Sequence, residues 1–220
     1  VDLFHFDWAT VPFRLIAFVI AFSVHEWAHA YVAWRLGDDT AKNQGRLTLN
    51  PIPHIDPFGL ILILFGPFGW ARPVPINPLN FRGNKRLGIV WVSAAGPFTN
   101  IVLAFLFGII FYYTASHDTF GGMHEKVQIA IYETLRFSFI INVAMFIFNL
   151  LPISPLDGSK IFRYLAPRRW ERFFYQLDIY GPWLLLMLIF LPPMRSIIDV
   201  PFAYAYKIMD DILSSIVLGM

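Results

Sequence analysis

The chain of 220 residues contains no cysteine. Disulfides, thiolate zinc sites and cysteine-nucleophile enzymes are therefore excluded. Charge is also scarce, at 15% of residues, and the formal net charge of +2 is too small to suggest a nucleic-acid partner. The first ten residues carry Asp2 and Asp7 and lack a basic leader, so no secretory signal peptide is expected. The start at Val1 leaves room for native residues trimmed or processed upstream. No internal repeat, low-complexity tract or flexible linker is visible, and the loops are too short to hold an inserted soluble domain. What is abundant is apolar surface. Hydrophobic residues make up 57% of the chain and the mean hydropathy is +0.56, the balance of an integral membrane protein.

Five apolar stretches stand out, at residues 11–33, 57–70, 87–113, 127–151 and 179–192. A bilayer crossing takes about 20 apolar residues, so the first, third and fourth read as spans. The fifth is short and crosses only with its flanks. The stretch 57–70 is too short and is broken by Gly66, Pro67 and Gly69, which predicts a re-entrant or hairpin element lining a cavity. Residues 197–220 carry Lys207, Asp210 and Asp211, as an interfacial amphipathic helix would. Residues 45–50 alternate at strand period before Pro51 and Pro53, which predicts a short edge strand. Loops 34–56, 71–86 and 152–176 hold most of the Lys and Arg. They share one face only if 57–70 does not cross. The positive-inside rule makes that face cytoplasmic and puts the N-terminus outside.

Within the first span lies His25-Glu26-Trp27-Ala28-His29. Histidines four apart share a helical face, and the glutamate between them can turn toward the same site. That is the spacing of a zinc site with a built-in general base. The plain alternative is a pair of histidines satisfied by neighbouring helices, but ionisable groups inside an apolar span call for a functional reason. Two histidines do not complete a catalytic zinc site, which usually takes three protein ligands and a water. Asp157, where the fourth span ends among Pro152, Pro155 and Gly158, is the candidate third ligand, on the same face as His25 and His29. Taken alone, Asp157-Gly158 reads as a turn at a helix end.

HEWAHA (25–30), AAGPFTN (94–100), NLLPISPLDG (149–158), GRLTLNPIPHIDPFG (45–59) and GWARPVPINP (69–78) together resemble the site-2 protease family of intramembrane zinc metalloproteases, in its compact prokaryotic branch without PDZ or CBS domains. The resemblance runs from about residue 22 to residue 158. It implies one Zn2+ per chain held by His25, His29 and Asp157, with Glu26 as the catalytic carboxylate and an inner core of three spans. Asn149, by its place in the motif, and His54, by its place in the NPIPH loop, are candidate donors to the oxyanion. The plain alternatives are a polar helix end for Asn149 and a structural role for His54. Gly96, Pro97 and Asn100 read first as close helix packing and a kink, and second as support for the site.

The expectation is an all-α integral membrane protein forming a single domain, residues 1–220. Its catalytic core would cover about 11–158 and its C-terminal helices 159–220. About five transmembrane helices would form a bundle with a re-entrant element and a short edge strand. Its partners would be the lipid bilayer and a single-span membrane protein substrate, in the plasma membrane, with the active site toward the cytoplasm. The rivals are a metal-ion or proton transporter and a non-enzymatic membrane protein that keeps zinc for stability. A transporter should carry further acidic or histidine side chains along several spans, and residues 87–113 have none.

Overall fold

The computed structural model describes residues 7–63 and 69–219. Among these residues the protein is all-helical: α1 (Val11–Arg35), α2 (Thr40–Asn43), α3 (Pro57–Ile63), α4 (Lys85–Ser116), α5 (Glu125–Asn149), α6 (Asp157–Leu165), α7 (Glu171–Phe190) and α8 (Pro192–Leu218). Four segments are long and apolar enough to cross a bilayer: Trp8–Arg35, Lys85–Ser116, Glu125–Asn149 and Arg168–Phe190. Among the described residues four segments meet this test, where the sequence predicts about five. The flanks of the short fifth stretch do complete a span-length helix, α7.

α4 is the axis of the bundle. Asn84 caps it by accepting from the N–H groups of Arg86 and Leu87. Every fourth residue from Gly88 through Val92, Gly96, Asn100 and Ala104 to Gly108 is buried, a stripe of mostly small side chains that lets neighbouring backbones come close. The large apolar residues Trp91, Phe98, Val102, Leu106, Ile109 and Tyr113 are exposed instead. This inverted pattern, small inside and large outside, suits a helix whose outer face meets lipid rather than water. α1 answers with Ala17, Ala21, Ala28, Ala30 and Ala33, all fully or almost fully buried.

The loops fix which helix ends lie together. Arg82 N–H donates to Leu36 O at 2.7 Å, joining the end of α1 to the approach to α4. At the opposite end the Tyr132 hydroxyl of α5 donates to Thr114 O of α4 at 3.0 Å. Arg86 Nε donates to Tyr164 O at 2.5 Å, and its guanidinium also reaches Ala166 O, so the start of α4 clamps the C-terminal carbonyls of α6. One end of the bundle thus gathers the end of α1, the approach to α4 and the C-terminal end of α6.

Two expectations are corrected. Residues 45–50 form a turn followed by bends, not an edge strand. In a strand Arg46 and Leu47 would point to opposite faces. Here Arg46 is buried on Arg72 O, and Leu47 packs on Ala30, Ala41 and Val74, so the backbone bends. α8 also differs from an interfacial helix. Its buried face, Phe202, Met209 and Leu213, packs on Ala104, Phe139, Ile140 and Val143, well inside α4 and α5. The Tyr112 hydroxyl takes up Asp210, which lets an acidic residue sit against α4. The hairpin expected over 57–70 lies partly outside the described residues. Its two ends meet, through an antiparallel bridge between Ile55 and Ala71 and a 2.9 Å bond from Arg72 N–H to His54 O.

Asp38 ties this end together. Fully buried, it accepts from Thr40 N–H at 3.1 Å, the Thr40 hydroxyl, Asn77 N–H at 2.7 Å and Asn80 Nδ2 at 2.8 Å. Burial alone would raise its pKa. The bonds from Thr40, Asn77 and Asn80 outweigh that and hold the carboxyl below its ordinary range. A carboxyl lower in the folded than in the unfolded state stabilises above its unfolded pKa of about 4, and the gain is lost as pH falls through the folded value. Asp38→Ala should therefore cost about 1–3 kcal/mol at pH 7 by orphaning buried donors. The gap from wild type should narrow below about pH 4. Thermal unfolding in detergent across pH checks both.

Candidate metal centre

The two histidines belong to the last turns of α1, where their spacing puts both rings on the face toward α4. His25 Nε2 and His29 Nε2 lie 3.0 Å apart. Asp157, the first residue of α6, brings its Oδ2 to 3.2 Å from His25 Nε2 and 3.1 Å from His29 Nε2. All three residues are buried. The structure thus brings together three residues that the sequence separates by 132 positions, the difference between 157 and 25.

The far side of each ring is also held. His29 Nδ1 lies 2.7 Å from Val92 O. A carbonyl only accepts, so the proton sits on Nδ1 and the lone pair on Nε2. Pro97 has no N–H to give Ser93, which loosens the α4 ladder in that same turn. His25 Nδ1 lies 2.6 Å from Asn100 Oδ1. Two imidazole lone pairs and a carboxylate oxygen therefore converge, an arrangement that repels itself unless a cation is placed among them.

The donor set fits zinc. Tetrahedral Zn2+ with bonds of about 2.0–2.1 Å separates its ligand atoms by about 3.3–3.4 Å, only a few tenths more than the edges of this triangle. Room exists on the α4 side because residue 96 is glycine. A Cβ there would stand 2.6 Å from both Nε2 atoms. Two neutral imidazoles and one carboxylate would leave a bound Zn2+ with a net charge of about +1.

Glu26 is buried beside these ligands, and its Oε2 accepts from Val74 N–H at 2.9 Å. Val74 lies in the extended segment 71–77, a strap laid against α1. Arg46 Nη2 grips the same strap, 2.5 Å from Arg72 O and 3.4 Å from Pro73 O. One peptide unit, Pro73–Val74, is thus held at its oxygen by Arg46 and at its nitrogen by Glu26. Asn149 ends α5, with Nδ2 donating back to Met145 O at 3.0 Å. His54 is buried with Nε2 donating to Thr48 O at 2.8 Å, a bond that organises its own loop. The sequence singled out Asn100 as second-choice support and missed Val92, Val74, Arg46 and Arg86. The first two act through backbone groups, which have no side-chain signature, while Arg86 reads only as loop charge and Arg46 as loop charge within the expected edge strand.

Apolar span-length helices that bring two histidines and a carboxylate together in a buried cluster are the arrangement expected of a membrane-embedded metalloprotein. The chain belongs to Peptidase family M50, whose model matches residues 13–189. It is 42% identical over 193 residues to "Putative zinc metalloprotease YwhC" of Bacillus subtilis, covering 87% of this chain and 86% of that protein. It is 30% identical over 150 residues to "Putative zinc metalloprotease Rip2" of Mycolicibacterium smegmatis, covering 66% of this chain and 53% of that relative. A shorter match, 34% identical over 73 residues, links it to "Putative zinc metalloprotease MJ0611" of Methanocaldococcus jannaschii, with about a third of each chain covered. No solved structure gives a significant match. With its four apolar spans, the chain is a multi-pass intramembrane zinc metalloprotease.

Because position 96 faces both imidazoles, Gly96→Ala should displace them and cut zinc content well below that of wild type. The helix itself, for which alanine is the better former, should persist. Metal analysis beside far-UV circular dichroism separates the two effects.

Proposed function

We propose that this protein is an endopeptidase that cleaves single-span membrane proteins, with zinc on His25, His29 and Asp157 and Glu26 as its general base. The convergence of His25 Nε2, His29 Nε2 and Asp157 Oδ2 within 3.0–3.2 Å carries the reading. Zinc bound there supplies an acidified water and a Lewis acid for the scissile carbonyl. Glu26 takes the proton of the attacking water onto its carboxylate and returns it to the leaving amine nitrogen. Val74 N–H holds Oε2 and so fixes the plane in which the carboxylate works. Asn149 is the proposed donor to the oxyanion; its amide has to turn away from Met145 O to serve.

The position of the site at the end of the bundle that carries the basic loops supports a site facing the cytoplasm in a plasma-membrane protein with its N-terminus outside. A membrane helix hides its peptide bonds in its own hydrogen bonds and must unwind before hydrolysis. The element 57–70, tethered at both ends by the Ile55–Ala71 bridge, is the proposed re-entrant guide for that step.

Purified wild type should hold about one zinc per chain, and Asp157→Ala should lose most of it. Glu26→Gln should keep the zinc while cleavage falls by about 10²–10⁴-fold. Equal cleavage by Glu26→Gln would remove the general base, and a zinc-free wild type after reloading would remove the metalloprotease reading. Scrambling the apolar order of 57–70 should slow cleavage with zinc unchanged, and unaltered cleavage would discard the guide.

A further inference from the structure

Behind His25 a polar chain crosses three helices and ends on a backbone carbonyl. Asn142 Nδ2 donates to Ser138 O at 2.8 Å. A carbonyl cannot donate, so that end of the Asn142 amide must be its nitrogen. Its Oδ1 is left facing Asn100 at 2.9 Å, where it can only accept, and this fixes Asn100 Nδ2 on that side. Ala21 O, at 3.5 Å, is a weaker second acceptor for the same nitrogen. Asn100 Oδ1 must then face His25 Nδ1 at 2.6 Å, and the His25 proton must sit on Nδ1. Nε2 is left as a lone pair aimed at His29 and Asp157.

Asn100 by itself does not decide this outcome. Turned by 180°, its amide keeps the same shape but offers Nδ2 to the ring, which favours a proton on Nε2, where a metal ligand needs none. Asn100 and Asn142 are both completely buried, so no solvent competes for their amides. His29 needs no such relay, because a carbonyl meets it directly.

We infer that Asn142 is a positioning residue for the metal, setting the orientation of Asn100 and through it the tautomer of His25. The inference rests on His25 being a zinc ligand, as proposed above. The order of the relay is Ser138 carbonyl, Asn142 amide, Asn100 amide, His25 imidazole. The polarity of one backbone group on α5 is thereby transmitted to a ligand atom on α1.

The test is Zn2+ affinity of the full chain in detergent, measured by competition with a chelator. Asn142→Leu should bind zinc about 10–100-fold more weakly, the usual cost of losing support behind a ligating histidine. Adding Asn100→Asp to Asn142→Leu should restore affinity, because a carboxylate presents oxygen to His25 whichever way it turns. In zinc-free protein, 15N spectra of His25 should show the Nδ1–H form in wild type and a mixture in Asn142→Leu. Asn142→Ala, read the same way, covers a leucine that fails to pack. Wild-type affinity in Asn142→Leu, or a loss that Asn100→Asp does not repair, would overturn the relay. No zinc in wild type would instead overturn the ligand assignment beneath it.

Discussion

The close approach of α4 to α1 is the constraint on which the rest of the structure depends. Glycine at 96 lets the helix axis come within reach of both imidazoles, and the following turn delivers Asn100 to the back of His25. Val92, one turn earlier, delivers its carbonyl to the back of His29. One helix face spaced at four residues therefore supplies clearance in front of the ligands and acceptors behind them. The same face continues to Gly108, where Leu213 of α8 fills the space a side chain would take.

The proposed third ligand reaches the site by a different route. Asp157 stands on a helix too short to be stable alone. α6 is placed by its ends: at its start Gly158 packs so tightly that a Cβ would stand 2.4 Å from the carbonyl oxygens of Leu150 and Leu151, and at its far end Arg86 collects the free carbonyls. Arg86, the second residue of α4, thus helps to position the proposed third ligand, while Val92 and Asn100, two turns apart, support the other two. That concentration of roles explains why α4 carries no ionisable side chain of its own at the site.

Much of this was legible in the sequence because it is written in side chains. The 25–29 spacing, the charge on three loops and the broken end of the fourth span were enough to bring Asp157 to the same face as the histidines. Gly96, Pro97 and Asn100 signalled close packing. Alternation at 45–50 misled because it records which residues are apolar, not which are drawn inward, and a buried arginine on a carbonyl outweighed the strand pattern. The charges of α8 pointed to an interface, whereas its apolar face packs on α4 and α5 and a tyrosine partner takes up Asp210, with Lys207 and Asp211 left exposed. Contacts made by main-chain groups, such as Val92 O and Val74 N–H, had no letter to announce them.

The strap over Glu26 contains its own safeguard against misalignment. In Pro73-Val74-Pro75 only the central residue has an amide hydrogen to give. A slip of one residue in either direction would face the glutamate with a proline ring and no donor at all. The register of the strap is therefore read in whole residues at Glu26, and an insertion or deletion between the Ile55–Ala71 bridge and residue 74 is not absorbed locally as in an ordinary loop. Chain length in that segment is as much a part of the proposed catalytic apparatus as the identity of the proposed ligands.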